Sequence, residues 1–356
     1  MKRLIILIDE DSWFLVSKAD FRNFTSMDIN HIKTYFQAKD YHVDIYKFSE
    51  LDLSLDYNGT YIIYQSSEAP GAFYKRYIED LVYFLEKQGA VILPDHEMLK
   101  AHHDKIFMEL MRSKFSDESL KSVKSLCYGS WVDARNYNSQ FPVVIKQVAS
   151  SGGAGVFLAK SRKEYIKKIK KAGKVLVASN LTDYFIDQLK RAVKNLIKYF
   201  SPSKSRYLQY DTAPVSTSII VQNFIPGLNG DYKVLIFGGK YYSMYRKNRD
   251  NDFRASGSGR FYEVPENEHE GLLNFAKKLT HEIDFPIFGI DIGHDGKEYH
   301  LIEFQMIDLG TSALQRSKFW HEFHDGKWIK YEGGSNLEEE FSRSIYDYIN
   351  MSLKNS

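Results

Sequence analysis

One cysteine, Cys127, stands among 356 residues. It excludes an internal disulfide and a thiolate zinc cluster, and it fits a reducing cytoplasm. No spacing marks it as a nucleophile, so a buried or neutral thiol is the plainer reading. No apolar run approaches the roughly 18 residues that a membrane span needs, and no internal repeat or low-complexity linker divides the chain. The apolar start from Leu4 to Ile8 is too short for a signal peptide and closes on Asp9-Glu10-Asp11 rather than on small residues. It reads as a buried first strand. Charge of one sign is also lacking, because 48 Lys and Arg against 46 Asp and Glu leave a net of +2. The exception is local: Lys160 to Arg206 holds 14 basic and 3 acidic residues, a net of +11. That run is either a solvated helix face or a basic lid that draws in an anionic substrate such as an acidic polysaccharide or teichoic-type polymer. The chain has 25 Tyr and 24 Phe, but they are not interleaved with the basic run as a base-stacking platform requires, so no nucleic-acid partner is expected.

What the chain does carry begins with Val143-Val144-Ile145-Lys146, an apolar strand ending in one lysine, followed by Ser151-Gly152-Gly153-Ala154-Gly155. The lysine is a point positive charge, and a glycine backbone approaches phosphate oxygens that a Cβ would keep away, a pairing that suits a nucleoside triphosphate. The lysine precedes the glycines, so this is not the Walker order; an ordinary hairpin turn is the bland alternative. A second segment runs from Phe285 to Gly293, turns at Asp295-Gly296, and returns through Tyr299 to Gln305. Side chains alternate along strands, so Glu303 and Gln305 share a face, and pairing across the turn puts Asp291 there too. Two carboxylates and an amide oxygen are hard ligands suited to magnesium bridging phosphates. The competing reading is a solvated strand face, which the strongly apolar flanks disfavour.

In their order these parts resemble the ATP-grasp superfamily over about residues 1 to 312. The carriers are Asp104-Lys105 opening a helix, Lys146 with its glycine loop, Ile219 to Ile225 before Pro226-Gly227, and Asp291 with Glu303. Within the superfamily, Gly230 to Lys240 with Arg246 and Asn251 to Gly259 is similar to the ligases that add glutamate to a ribosomal protein. The resemblance implies an α/β (α+β) ATP-grasp fold: an N-terminal parallel-sheet domain over 1–95, a lid subdomain over 96–225 with a basic helical insertion at about 175–215, and a metal-binding subdomain over 226–356. It implies that Lys105 and Lys146 hold the α and β phosphates and that Ser151, Gly152, Gly153 and Gly155 line them. Gln222, Asn223, Phe224 and Ile225 would present backbone to adenine, Asp231 would sit near the ribose, and Asp291, Glu303 and Gln305 would hold Mg2+. Three positions depart from the family pattern: Gln305 replaces asparagine and shifts that ligand by about one bond length, Lys233 replaces arginine and loses its fork, and Gln222 replaces glutamate.

The activity so implied is ATP-dependent ligation. Lysines and magnesium neutralise the triphosphate, a substrate carboxylate takes the γ-phosphoryl group, and an amine displaces phosphate from the acyl phosphate, leaving ADP. Arg246 and Arg254 are the candidates to stabilise the transferred group, against the alternative of arginines on surface loops. A kinase acting on a hydroxyl and an ATP-binding module without turnover remain open. Partners expected on this reading are ATP, a carboxylate donor and an amine acceptor, with an anionic glycan or envelope precursor suggested by the basic run; a homodimer is allowed. Trp320 and Trp328 with Arg316 would line a sugar-stacking acceptor site, or simply pack under the last helix. His321 and His324, three apart, suggest a metal pair on a helix, though without a third ligand a surface pair is the plainer reading.

Along the chain, strands are expected at Leu4 to Ile8, His42 to Tyr46, Tyr61 to Tyr64 and Ala90 to Leu93. Helices are expected near Asp28 to Ala38 and Tyr74 to Lys87, the alternation of a parallel sheet with crossovers. A further amphipathic helix is expected where Leu189, Val193, Leu196 and Phe200 recur, and a final helix from Leu337 to Leu353.

Overall fold

The computed structural model describes residues 2–18, 23–67, 72–138, 140–148, 155–173, 189, 193, 217–250, 252–255 and 259–355. The chain divides into two compact units, one of residues 1–123 with 225–356 and one of residues 124–224.

The first unit opens with β1 (Lys2–Ile8), the hairpin β2 (Leu15–Lys18) and β3 (Asn23–Ser26), then α1 (Ile29–Gln37), β4 (Tyr41–Lys47), β5 (Tyr61–Tyr64), α2 (Ala72–Lys87), β6 (Val91–Leu93), α3 (His96–His103) and α4 (Lys105–Arg112). Strands β1, β4, β5 and β6 form a parallel sheet in the order β4-β1-β5-β6. The continuous apolar run of β1 follows from burial on both faces. Leu4 and Ile6 enter one core cluster, whereas Ile5 and Leu7 enter another with Tyr64, Val82 and Leu85. Asp28 caps α1 through the Asn30 and His31 amides, and Asp104 closes α3 and caps α4 through Ile106, each satisfying donors a helix start leaves open.

The second unit holds β7 (Ser125–Tyr128), α5 (Trp131–Ala134), β8 (Val143–Gln147), β9 (Val156–Ala159), α6 (Arg162–Ala172) and β10 (Ile219–Asn223). Its sheet is antiparallel in the order β7-β10-β8-β9. Val143, Ile145, Ile219 and Val221 pack with Tyr165 and Ile169 of α6. Cys127 lies exposed on β7 rather than buried. Ser151, Gly152 and Gly153 lie outside the described residues, as do Leu196 and Phe200 of the expected amphipathic helix; Leu189 and Val193 are helical and exposed.

The first unit continues with β11 (Gly230–Phe237), β12 (Lys240–Lys247), β13 (Phe261–Tyr262), α7 (Glu266–Leu279), β14 (Ile287–His294), β15 (Tyr299–Gln305), α8 (Ser312–Arg316), β16 (Phe319–His324), β17 (Lys327–Glu332) and α9 (Leu337–Asn355). Their sheet runs β15-β14-β11-β12-β16-β17, with β13 beside β12. Gly238 and Gly239 both hold positive φ, 52° and 88°, between Phe237 and its partner Lys240. That is the two-residue hairpin turn that glycines make without strain. One core joins both sheets: Leu4, Ile6 and Phe36 share a cluster with Val234, Leu273, Ile290 and Ile345, and Phe14 meets Phe341 edge-on at 5.5 Å.

Two expectations meet a different arrangement. The helices at 96–112, expected to begin the lid segment, fall in the first unit, where buried Arg112 donates to the Leu301 carbonyl of β15 at 2.7 Å. His321 and His324 lie on a strand rather than a helix, and three residues along a strand point to opposite faces. His321 is buried, whereas His324 is exposed and bonded to Glu322.

Candidate active site

Neighbouring strands of the large sheet line up their charges by register. Asp231 pairs with Arg246 across β11 and β12, Lys233 with Asp291 across β11 and β14, and Asp291 with Glu303 across β14 and β15. Directly opposed residues share a face, as do residues two apart on one strand. Asp231, Lys233, Arg246, Asp291, Glu303 and Gln305 therefore occupy one face, Gln305 opposite Gly289. Arg246 forks onto Asp231, Nε to Oδ1 at 2.7 Å and Nη2 to Oδ2 at 2.8 Å, and reaches Asp291 Oδ2 at 2.7 Å. The Lys233 ammonium stands 3.1 Å from Asp291 Oδ1, and Lys105, in the first turn of α4, stands 3.1 Å from Glu303 Oε1. Three cations thus meet three carboxylates.

Gly289 makes room for this arrangement, since a Cβ there would lie 3.2 Å from the Lys233 nitrogen and 3.0 Å from Leu309. Burial and charge separate the two aspartates. Burial pushes the Asp231 carboxyl up, Arg246 pulls it down and Asp291 pushes it up again, leaving it raised. Burial pushes Asp291 up as well, but Arg246 and Lys233 outweigh it and hold Asp291 below the usual carboxylate range. Burial works against the Arg246 charge, yet Asp231 and Asp291 hold its pKa above the ordinary arginine value. Of the two aspartates, Asp291 holds its charge more firmly and Asp231 is the one nearer to taking a proton.

In the second unit, Lys146 opposes Ile220 while Gln222 opposes Val144, so Lys146 and Gln222 share the sheet face turned away from Val143, Ile145 and α6. Both are buried. The Gln222 amide donates to Ser125 Oγ at 2.9 Å. Gly155 accepts from the Gln147 amide at 2.9 Å. Asn223 is exposed, Phe224 and Ile225 are half-buried, and the division between the units falls between those last two.

Arg254 forks onto Asp252, two residues earlier, rather than onto Asp231 or Asp291. Neither tryptophan stands open for a sugar ring. Trp320 stacks on Tyr331 at 5.8 Å and donates to Glu322; Trp328 meets Tyr241 edge-on at 4.8 Å and donates to Asn274; Arg316 lies over Phe261. Sequence reasoning missed the buried Glu109–Arg112 pair of α4 and the role of Gly289. The signals were there: two charges on an apolar helix stripe, and a glycine within a strand.

Among the described residues no group of three or more His, Cys, Asp or Glu is placed to hold a metal ion. Gln305, on the same face as Asp291 and Glu303, adds an amide oxygen to the two carboxylates. That donor set is all oxygen, and its carboxylates are held by side-chain cations that a dication would displace, so it fits magnesium rather than zinc. No described helix is long and apolar enough to cross a membrane.

A parallel sheet, a separate antiparallel sheet and a larger antiparallel sheet carrying paired acidic residues define a mixed α/β protein with the ATP-grasp fold. The D-alanyl-alanine synthetase A of Vibrio cholerae O1 biovar eltor matches it with a TM-score of 0.51 at 12% identity, over 98% of this chain and 99% of that one. The D-alanine–D-alanine ligase of Bacillus anthracis gives 0.48 at 10% identity over 99% and 98%. The RimK domain ATP-grasp protein of Sphaerobacter thermophilus gives 0.45 at 9% over 86% and 92%. No family model and no curated protein matches the sequence.

Proposed function

We propose that this chain is an ATP-dependent carboxylate–amine ligase that forms an acyl phosphate and releases ADP and phosphate. The observation that carries the reading is the opposed pair Asp291 and Glu303, ringed by Lys105, Lys233 and Arg246 on one sheet face. Asp291, Glu303 and Gln305 would hold Mg2+, which when bound supplies charge neutralisation for the triphosphate. With Asp291 and Glu303 holding the metal, Lys105 and Lys233 would be left to face anionic oxygen of the phosphoryl group or the substrate carboxylate, while Arg246 would stay forked on Asp231. Lys146, the glycine loop and the Gln222 carbonyl are assigned to the nucleotide, with Asn223, Phe224 and Ile225 as its backbone contacts and Asp231 near the ribose. Arg254 is assigned to the transferred phosphoryl group, a role in which it would exchange Asp252 for phosphate.

The test is phosphorus NMR of the protein with magnesium ATP and fractionated metabolites, small and polymeric. ADP with equal inorganic phosphate and a new amide supports the ligase, and the active fraction leads to the two substrates. A phosphorylated product without free phosphate replaces the ligase with a kinase, and bound ATP that no fraction turns over replaces it with a binding module.

A further inference from the structure

The carboxyl edge of the parallel sheet holds a second cluster of polar side chains. In the order β4-β1-β5-β6, successive connections leave β1 in opposite directions, so the winding reverses between β1 and β5. Open α/β sheets bind ligands outside the strand carboxyl ends at such a reversal. Asp9 follows β1 there, and Gln65, Ser66 and Ser67 follow β5. The Ser66 hydroxyl lies 2.5 Å from His103 Nε2, and His103 Nδ1 lies 2.6 Å from Glu79 Oε1. Three elements contribute: the end of β5, the helix α2 and the last residue of α3.

The directions of these bonds follow from ionisation. Burial pushes the Glu79 carboxyl up, but its hydrogen bond to His103 and the nearby positive charge bring it below the usual range. With the ring neutral, an ionised Glu79 accepts the Nδ1 proton, and Nε2 is then the acceptor for the Ser66 hydroxyl. The neighbours of Ser66 have partners of their own: Ser67 donates to Asp9 at 3.0 Å, and Gln65 accepts from the Asp308 amide at 2.8 Å. A buried hydroxyl beside an imidazole that is oriented by a half-buried carboxylate forms the constellation of an activated nucleophile, recognised by geometry rather than chain order.

We propose that Ser66 is the nucleophile of an ATP-independent acyl transfer, with His103 as its base and Glu79 orienting the ring, acting on an ester or thioester. The Ser66 oxygen bonds the carbonyl carbon as its proton passes to His103 Nε2. The bond from that carbon to the alcohol or thiol then breaks, and the leaving group takes the proton. Water follows by the same path, releasing the acid and restoring the hydroxyl. Ser66 is 1% exposed, which keeps large acyl groups from its hydroxyl.

Diisopropyl fluorophosphate and p-nitrophenyl acetate, applied to the full chain without nucleotide, test the assignment. The expected result is a phosphoryl adduct mapped to Ser66 by peptide mass spectrometry, together with a burst of p-nitrophenolate equal to the protein. Ser66→Ala removes both, His103→Gln slows adduct formation at least about 100-fold, and Glu79→Gln slows it less. No adduct on Ser66 after prolonged exposure to excess reagent overturns the proposal, as does an adduct that forms at the same rate in His103→Gln. Should that variant fail to fold, the adduct site in the unaltered protein decides. With ATP absent throughout, failure here leaves the ligase reading untouched.

Discussion

Asp291 and Glu303 are each held by side-chain cations in the resting protein, so their removal separates two roles that are usually lost together. Asp291→Asn with Glu303→Gln keeps the shape and the oxygen atoms but discards both charges. Nucleotide-induced thermal stabilisation should persist at much of its original size, because the proposed reading assigns the phosphate contacts to Lys105, Lys146 and the glycine loop. Turnover should fall by roughly two to three orders of magnitude, the loss typical of deleting electrostatic stabilisation. Phosphate release and a melting curve on the same sample measure the two effects, and undiminished turnover would remove these residues from the site. Lys146 makes the opposite case. It is buried on β8, and Lys146→Ala should abolish the nucleotide-induced shift in melting temperature while leaving the unliganded melting temperature within a few degrees. A shift that survives would assign the phosphate contact elsewhere.

Elements differ in how much of them local pattern reveals. The run Leu4 to Ile8, the Tyr61 to Tyr64 strand and the hairpin around Asp295-Gly296 were readable, because apolar runs and turn residues are local signals. The paired register of Asp291 with Glu303 followed from the same hairpin logic. The strand β16 went unread, because the His321 and His324 spacing suggested a helical pair, set aside for a surface pair, while the alternation of Phe319, His321 and Phe323, a period of two, was not weighed. Nothing local announces that α4 meets β15. That contact rests on Arg112, 2% exposed, which donates to the Leu301 carbonyl at 2.7 Å and to Glu109 at 2.5 Å. It fixes α4 against the strand that bears Glu303, and so sets where Lys105 stands. Arg112→Met takes the counter-charge from buried Glu109 and should cost about 3–5 kcal/mol, with Arg112→Met/Glu109→Leu recovering much of the loss. Urea unfolding of the two variants checks this; equal midpoints for both would mean that the pair is not the staple.

At the scale of the whole molecule, candidate nucleotide residues are divided between the two units, Lys146 and Gln222 in one and Lys105, Asp231, Asp291 and Glu303 in the other. Sequence order placed Lys105 in the lid segment with Lys146, because the extent of each unit depends on contacts between distant segments. Stability as a function of pH is also a property of the whole chain, and a buried histidine pair contributes to its mildly acidic limb, beside His102, which burial also lowers. His269 and His321 lie 4.8 Å apart with Phe319 edge-on to His321 at 5.6 Å. Burial and then the charge of His269 push His321 down from 6.5 to about 4. Burial likewise lowers His269, against an upward pull from Glu266 and with a smaller downward push from Lys330. Glu332 and Glu263 are the other charges acting on the pair. A histidine whose folded pKa is depressed is protonated first in the unfolded chain, so the unfolded state gains protons as pH falls. Its stabilising contribution is complete above 6.5 and is lost between 6.5 and about 4, roughly 3 kcal/mol for His321. Asp291, held below the usual carboxylate range, adds a loss only at lower pH, and Asp231, raised, opposes it. His321→Phe fills the same space with a ring that cannot take a proton. The melting temperature of the unaltered protein should therefore fall more steeply from about pH 7 to pH 4.5 than that of the variant. Parallel slopes would place the acid limb in the carboxylates instead of this pair.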